Sequence, residues 1–364
     1  MTLADLGARV VKVERPGVGD ETRTWGPPFT EHGSTYFESV NRGKESVVLD
    51  LTETGDLAVA RELIRRADVV IENFKPGTMA RLGLAYEDVV VGNPGLVYCS
   101  ISGFGTAGGR DLLGYDFLVQ AVGGLMSITG PPEDPTKVGV AVVDVLTGKD
   151  AVIGILAALA ARARTGHGDH IEVTLLTSSL GAMVNQGQAA LTTGVAPGRA
   201  GNAHPSIAPY ETLRCRDGMI AVACGNNGQF ARLVAVLGSS ALATDPRYAT
   251  NADRVANRET LVPDLEALLG AEDAGTWAAR LTEAKVPAGV VGSILDALDL
   301  GQRLGLAPTV TIGAGRAPQV RHPVRWTAYE TAQPTPPPAL GEQSHAVREW
   351  LSAPTASGGD LESR

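Results

Sequence analysis

A single aspartate stands between two segments whose residue types suggest chemistry. Asp144 closes the apolar run "VGVAVVD" (138–144) and is followed by the alanine-rich stretch "VLTGKDAVIGILAALAARA" (145–163). We expect Asp144 to lie at a strand end, near the N-terminus of a helix. There its carboxylate would either cap the helix or, held by backbone N–H groups, act as a nucleophile.

Three further segments carry polar residues that allow two interpretations each. Tyr115 and Asp116, in "GYDFLVQA", are compatible with a buried, hydrogen-bonded phenol or with part of a site. The loop "CGNNGQF" (224–230) is an ordinary turn or part of a site. His204, in "GNAHPSIAPY", is better interpreted as a turn residue than as a catalytic base.

The segment "GFGTAG" matches the spacing of a dinucleotide-binding loop. Its glycines are Gly103, Gly105 and Gly108, and they follow a predicted strand. However, no helical pattern begins at the third glycine, and no acidic residue ends a second strand at the distance that ribose binding requires. We therefore expect no nicotinamide or flavin cofactor.

Basic residues of the first quarter lie mostly at or just beyond predicted strand ends. In a doubly wound sheet those ends line the ligand crevice. Taken singly, each residue is compatible with a solvated surface charge, but their joint placement favours an anionic, phosphate-bearing ligand. They are Lys12, Arg15, Arg23, Arg42, Lys44, Lys75 and Arg81.

Several other classes of site lack their characteristic residues. The sequence has no Ser-His-Asp arrangement, no histidine pair at metal-binding spacing and no P-loop. Its three cysteines, Cys99, Cys215 and Cys224, are too few and too scattered for a disulfide framework or a zinc site. We expect no metal.

The overall charge and hydropathy narrow the choice of partners and compartment. With 31 basic and 40 acidic residues in 364, the net charge of −9 argues against nucleic-acid binding. The apolar run "AVIGILAALAA" (151–161) is too short to span a bilayer and continues into Arg162 and Arg164. No signal-peptide pattern opens the chain, so we expect a cytoplasmic protein with no membrane association.

The elements that must position these residues alternate in the first half of the chain. Strand patterns alternate there with helical patterns, which predicts an α/β fold with a mostly parallel sheet and helices on both faces. The predicted strands are 8–14, 45–51, 68–74, 96–102 and 170–176, and the predicted helices include 54–67 and 79–84.

After about residue 200 the pattern changes to a smaller α+β domain, 205–305. A hairpin over 208–225 turns at Asp217-Gly218, and helical patterns follow it at 228–238 and 258–271. The stretch "AQPTPPPALGE" (332–342) predicts a stiff connector, followed by a terminal helix over 344–353 and a frayed tail.

Taken together, these segments resemble the family III coenzyme A transferases, a group that includes formyl-CoA transferase, carnitine CoA-transferase and α-methylacyl-CoA racemase. The resemblance runs nearly end to end. The matching segments include "LADLGARVVKVERPGVGDETRTWGPPF", "NRGKESVVLDL", "ENFKPGTMARLGL", "GYDFLVQAVGGLMSITG", "VVDVLTGKDAVIGILAALAARARTGHGDHIEV", "GNAHPSIAPYETLRCRDG" and "CGNNGQFARL".

The resemblance implies a role for each site residue. Asp144 matches the catalytic aspartate of the family, and the loop Gly225, Asn226, Asn227 and Gly228 matches the one that covers the reacting carbonyl. Arg15, Asn73, Phe74 and Arg81 match positions that contact coenzyme A, and we add Lys12, Lys44 and Met79 to the predicted coenzyme-binding set. The Gly103–Gly108 stretch matches an ordinary loop of the family.

Tyr115 separates the two chemistries that the family performs. Racemases carry a histidine there, which works with the aspartate as an acid–base pair, whereas transferases commonly carry tyrosine. A phenol with an ordinary pKa near 10 suits proton exchange poorly, so we favour CoA transfer. The alternatives are α-methylacyl-CoA racemase or epimerase chemistry and a catalytically inactive CoA-binding homologue.

The resemblance also implies a mechanism and an architecture. The substrates would be an acyl-CoA and a small carboxylic acid, and transfer would pass through an aspartyl anhydride and an aspartyl-CoA thioester on Asp144. A Rossmann-like large domain (1–200) would bind CoA, and residues 306–364 would form a linker and return to it. Family members are interlocked, ring-shaped homodimers. They usually have a first strand before the segment that opens this chain, so we expect that strand to be missing.

Overall fold

The computed structural model describes residues 1–329 and 333–353, except for the side chain of Ser240. Residue 332 of the predicted connector and the predicted tail after residue 353 lie outside the described residues. The helices are Thr2–Asp5 (α1), Thr35–Asn41 (α2), Thr54–Arg66 (α3), Thr78–Arg81 (α4), Tyr86–Val89 (α5), Asp116–Val122 (α6), Leu125–Ile128 (α7), Val142–Thr165 (α8), Leu175–Ala182 (α9), Val184–Thr193 (α10), Asn227–Val236 (α11), Ser240–Thr244 (α12), Asn251–Ala256 (α13), Arg258–Leu269 (α14), Ala274–Glu283 (α15), Ile294–Arg303 (α16) and Ser344–Ser352 (α17), with 3₁₀ turns at Glu21–Thr24 and Val90–Gly92.

The strands form both parallel and antiparallel sheets. They are Val10–Glu14 (β1), Phe29–Thr30 (β2), Gly33–Ser34 (β3), Lys44–Val48 (β4), Val69–Glu72 (β5), Val97–Ser102 (β6), His170–Thr174 (β7), Tyr210–Arg214 (β8), Met219–Ala223 (β9), Ala288–Val290 (β10), Thr309–Val310 (β11) and Gln319–Val320 (β12). β1 pairs in parallel with β4, and β6 pairs in parallel with β5 and β7. The prediction of an α/β chain with parallel strands is confirmed. The parallel strands are hydrogen-bonded in these two groups, whereas the prediction was one sheet.

The central strand of the β5–β6–β7 sheet is buried on both faces. Val97 and Cys99 pack on one side with Ile155 of α8, and Tyr98 packs on the other side with Leu84. A strand that is covered on both faces typically has a continuous apolar sequence, and "LVYC" is such a sequence here. This packing fixes α8 against the sheet.

The helix α8 begins at Val142 and carries Asp144 in its first turn, as its third residue. The expectation that Asp144 lies at a strand end was wrong in that detail, because residues 138–141 form no strand and the apolar run passes directly into the helix. The helix ends at Thr165, before Gly166 with φ +74°. Among the helices of the described residues, none has the length and apolar character needed to cross a bilayer.

The chain divides into two compact units. The first comprises Met1–Val119, Val142–Ala182 and the described residues from Gly301 onward. Its C-terminal segment completes the β4 side of the sheet, since the Ser46 N–H donates to Gln343 Oε1 at 2.8 Å and the Val48 N–H donates to Ser344 Oγ at 3.0 Å.

The second unit comprises Gln120–Ala141 and Met183–Leu300. Its sheet has the antiparallel order β10–β9–β8, so the predicted hairpin is present as β8 and β9. Alternate residues of β9, Ile220 and Val222, point into a core formed with the helices α11, α14 and α15. That core also contains Leu233, Leu261 and Trp277.

Candidate active site

Asp144 and Asp116 lie together at the N-terminus of α8. Asp116 Oδ1 accepts hydrogen bonds from the N–H groups of Val143, at 2.8 Å, and of Asp144, at 3.3 Å. The surrounding protein partly desolvates the Asp144 carboxyl and so raises its pKa from 3.8 to about 6, and repulsion from the Asp116 carboxylate adds to the shift. Asp144 keeps solvent access. The arrangement is an accessible, unusually basic carboxylate.

Two aromatic residues of the first unit pack together, and one of them lies near this pair of carboxylates. Burial, followed by the negative charges of Asp144 and Asp116, raises the pKa of the Tyr36 phenol, which therefore lies near both carboxylates. Trp25 packs edge-on against Tyr36 with ring centroids 5.0 Å apart. The Ser34 hydroxyl caps α2 by accepting from the Tyr36 N–H at 3.1 Å, and it donates to the carbonyl of Trp25.

A close glycine contact positions the chain just before Tyr115 and Asp116. A Cβ built on Gly114 would lie 2.4 Å from Gly103 Cα, closer than a side chain permits. Gly103 of "GFGTAG" therefore serves packing, and no helix begins at Gly108. Tyr115 itself is 62% exposed, at the start of the segment that carries Asp116.

Two of the predicted coenzyme contacts lie near the carboxyl end of β1. Arg15 directly follows the strand, and its side chain is 59% exposed, with its guanidinium 3.1 Å from the Gly19 carbonyl and 3.7 Å from Glu21. Lys12 lies within β1 and forms a 2.5 Å ion pair with Asp20. Arg15 therefore offers the more available positive charge.

Lys44 lies at the amino end of β4, which is the opposite end from Arg15 in this parallel pair. Its ammonium donates to Asn41 Oδ1 at 2.8 Å. Burial lowers its pKa to about 8, and repulsion from Lys12 adds to the shift.

Four predicted coenzyme contacts follow the carboxyl end of β5. Asn73 and Phe74 come directly after Glu72, and Phe74 is 48% exposed. Arg81 is exposed at the end of α4, while Met79 is half-buried against the core. Ligands of parallel sheets bind outside the carboxyl ends of the strands, and the coenzyme role of these four residues stays a prediction.

Arg110 adds a cation beside the same turn. One of its guanidinium nitrogens lies 3.2 Å from a Cβ built on Gly77, the residue before α4. Lys75 lies 3.3 Å from Asp111.

The loop 225–228 begins the helix α11 of the second unit, and its residues are exposed. Asn226 Oδ1 caps the helix by accepting from the Gln229 N–H at 2.9 Å, and the Gly225 N–H donates to Gln229 Oε1 at 2.8 Å. The first N–H groups of a helix have no acceptor within it. The N–H groups of Asn227 and Gly228 are of this kind, at the exposed start of α11.

Comparison with known proteins gives this geometry its context. A sequence model described as CoA-transferase family III matches residues 1–344. The chain belongs to CoA-transferase family III. It is 41% identical to the acetyl-CoA:oxalate CoA-transferase of Acetobacter aceti, with 97% of this chain and 91% of that protein covered. It is 44% identical to the succinate–glutarate CoA-transferase of Agrobacterium fabrum, with 95% and 89% covered.

A solved structure of the family has the same fold. The crystal structure of a CAIB/BAIF family protein from Brucella suis matches with a TM-score of 0.88 and 43% identity, over 96% of this chain and 94% of that one. The resemblance stated from the sequence is thereby confirmed.

The sequence analysis did not predict the contacts of three residues in this part of the first unit. Trp25 and Tyr36 had no assigned role, although Trp25 lies in the matching segment "TRTWGPPF". Asp116 was noted without its function of capping the helix that carries Asp144.

Two other expectations concern metal binding and His204. The described residues contain no group of three His, Cys, Asp or Glu side chains that is placed to hold a metal ion. His204 sits in a turn, where its backbone N–H donates to the Tyr210 carbonyl at 2.9 Å and its Nδ1 accepts from the Ser206 N–H at 3.1 Å.

Proposed function

We propose that this chain moves coenzyme A from an acyl-CoA to a free carboxylic acid, with Asp144 as the nucleophile. The observation that carries the proposal is the accessible Asp144 carboxylate at the N-terminus of α8, with its pKa raised to about 6. Such a carboxylate is ionised at neutral pH and more basic than an ordinary aspartate, and both properties favour nucleophilic attack. Relatives at 38–44% identity are named CoA-transferases.

The transfer proceeds through two covalent intermediates. An Asp144 carboxylate oxygen attacks the thioester carbonyl and the carbon–sulfur bond breaks, so CoA departs as a thiolate and the acyl group stays on Asp144 as a mixed anhydride. The thiolate then attacks the aspartyl carbonyl, which releases the donor acid and leaves an aspartyl-CoA thioester. The acceptor carboxylate attacks that thioester to give a second anhydride, and the returning thiolate takes the new acyl group and frees Asp144. Each bond formed is similar in energy to the bond broken.

The loop 225–228 stabilises the oxyanion that develops during these attacks. The N–H groups of Asn227 and Gly228, at the positive end of α11, are suited to this role. The loop also covers the reacting carbonyl. This excludes water, which would otherwise hydrolyse both intermediates.

Coenzyme A binds at the carboxyl ends of the strands in the first unit. Arg15, Arg81 and Arg110 supply positive charge for its phosphates, and the exposed Phe74 ring supplies apolar surface. Asn73 and Met79 belong to the same turn and helix as Phe74 and Arg81. Lys12 and Lys44 stay predicted contacts, although Lys12 is ion-paired with Asp20 and Lys44 lies at the amino end of β4, the opposite end of the parallel pair from Arg15.

The first unit acts as the large CoA-binding domain and the second as the small domain of an interlocked homodimer. Exposed apolar residues on α8 support self-association: Ile153 is 65% exposed and Leu156 is 46% exposed. Light scattering at micromolar concentration is expected to give twice the 37.7 kDa chain mass.

We propose that the donor is succinyl-CoA and that the acceptor is a short dicarboxylic acid. Named relatives support this choice, since one acts on oxalate and another on succinate and glutarate by their names.

The deciding experiment is incubation with succinyl-CoA, a quench with hydroxylamine and peptide mass mapping. We expect a hydroxamate on Asp144 that is absent from Asp144→Ala. An unmodified Asp144 across several acyl-CoA donors would contradict the proposal. Deuterium uptake at the α-carbon of a 2-methylacyl-CoA would then indicate a racemase, and thermal stabilisation by CoA without turnover would indicate a CoA-binding protein.

A further inference from the structure

Arg254 is a fully buried guanidinium beneath the loop 225–228. It lies on α13 and has 0% of its surface exposed. Its Nε donates to the Ala208 carbonyl at 2.7 Å, one terminal nitrogen donates to the Tyr248 carbonyl at 3.0 Å, and the other donates to Asn227 Oδ1 at 3.0 Å. The guanidinium carbon also lies 4.5 Å from the centre of the Phe230 ring.

The buried Arg254 charge is stabilised by carbonyl and amide dipoles and by the Phe230 ring, and not by an opposite charge. Within the described part of the chain, the hydrogen bonds of Arg254 go to two carbonyls and one amide, and none goes to a carboxylate. The nearest acid in sequence, Asp253, is bound to the Thr250 hydroxyl and N–H instead. Burying an unneutralised cation is costly for folding, so a neutral side chain of similar size would be the cheaper way to fill the space.

The Arg254 guanidinium fixes the orientation of the Asn227 side-chain amide. A guanidinium has only donors, so it can approach the Oδ1 end of the amide but not the Nδ2 end. Asn227 is an exposed residue, so the Nδ2 end of its amide, which Arg254 cannot bind, is left for another acceptor. That group carries two N–H donors, next to the backbone N–H groups at the start of α11.

We propose that Arg254 is a positioning residue for the transfer reaction, which holds the Asn227 amide so that its Nδ2–H groups face the reacting carbonyl oxygen. The inference rests on the proposed function of the loop 225–228. The Nδ2–H groups add a side-chain donor to the backbone donors of the oxyanion site. The Arg254 charge also raises the positive potential at this end of α11.

The sharpest test is Asn227→Asp, in which the orientation is kept but the donor is lost. An aspartate accepts the same hydrogen bond from Arg254 and neutralises its charge, so thermal stability is expected to stay equal or rise. The outer oxygen now repels an oxyanion, so kcat is expected to fall on the order of a hundredfold, with KM for succinyl-CoA nearly unchanged.

Arg254 itself is tested by Arg254→Met and Arg254→Lys. Met removes the charge and all three hydrogen bonds, and kcat is expected to fall at least about tenfold. Lys keeps the charge and one hydrogen bond, so its kcat is expected to lie between those of Met and wild type. Arg216→Met, which removes an exposed arginine paired with Asp273, is the control and is expected to retain wild-type kcat.

Wild-type kcat in Asn227→Asp, or in folded Arg254→Met, would overturn the positioning role while leaving transfer on Asp144 intact. A wild-type protein that exchanges no CoA and shows no Asp144 adduct would instead contradict the proposed function. The two failures are therefore distinguishable in one set of assays.

Discussion

The Asp116 carboxylate caps the helix that presents Asp144, by accepting hydrogen bonds from the N–H groups of Val143 and of Asp144 itself. Desolvation by the surrounding protein, followed by repulsion from Asp116, raises the pKa of Asp144 to about 6, so one acid both orients the other and adds to its pKa shift. This relationship makes the activity dependent on pH in a predictable direction.

The pH profile of Asp116→Asn tests this relationship. Asparagine keeps a capping oxygen but loses the charge, so the pKa of Asp144 should fall while burial still holds it above 3.8. Because the reaction needs the Asp144 carboxylate, kcat/KM of the wild type is expected to rise with pH through about 6. In Asp116→Asn that rise should move to lower pH by up to about one unit. An unchanged acid limb would show that Asp116 does not set the pKa.

The thermal stability of Asp144→Asn should depend on pH with a defined sign. The folded pKa of about 6 exceeds the ordinary 3.8, so ionised Asp144 destabilises the fold; this cost is absent below pH 3.8 and complete above about 6. Asp144→Asn should therefore raise Tm at pH 8, on the order of 1–3 °C. The gain should vanish as the pH falls from 6 to 4.

A matched control for this measurement is Asp150→Asn, on the exposed side of the same helix. It is expected to leave the melting temperature unchanged across this range. A gain for Asp144→Asn that persists at pH 4 would contradict the assignment of the shift to Asp144.

The contact between Gly103 and Gly114 should be intolerant of a single methyl group. In Gly114→Ala the new Cβ would lie 2.4 Å from Gly103 Cα, so the backbone before Asp116 must move. We expect a loss of about 1–3 kcal/mol in the free energy of unfolding, together with reduced transfer activity. Denaturant unfolding measures the first effect and CoA exchange the second.

Gly108→Ala is the control for the same loop. No atom lies within 4 Å of a Cβ built there, and the backbone angle is not left-handed. Both stability and activity should remain near wild type, and a large loss in this variant would contradict the packing explanation of the loop.

The Glu14 carboxylate should be essential to stability rather than to chemistry. It is 3% exposed and receives hydrogen bonds from Arg23 at 2.7 and 2.8 Å and from the Ser46 hydroxyl at 2.6 Å. Glu14→Gln leaves the Arg23 guanidinium without its opposite charge, and about 3 kcal/mol of unfolding free energy should be lost.

Glu45→Gln offers the comparison, since Glu45 pairs with Arg9 near the surface. Its loss should cost less than about 1 kcal/mol in the same denaturant experiment. If both variants lost the same free energy of unfolding, burial would not determine how much these ion pairs contribute to stability.

The parts of the site that the sequence predicted are those with local signals or a family resemblance. The strands and helices around β5, β6 and α11 follow apolar periodicity, and Asp144 was identified from its flanking segments. The short apolar run before Asp144 has no period that separates strand from helix, which explains the error there. The roles of Asp116 and Arg254 depend on partners 28 and 27 residues away along the chain. Such contacts exist only once the tertiary structure has formed.

The division of the first unit into separated segments has a consequence for biosynthesis. Val347 of α17 is fully buried in a core with Val47 and Leu49, although three hundred residues separate them in the sequence. During translation, the apolar surface around Val47 and Leu49 therefore stays exposed until nearly the whole chain has been synthesised. The second unit, most of which is continuous in sequence, can acquire its core sooner. Slower translation near the C-terminus would prolong the period during which the β1–β4 pair exposes this apolar surface.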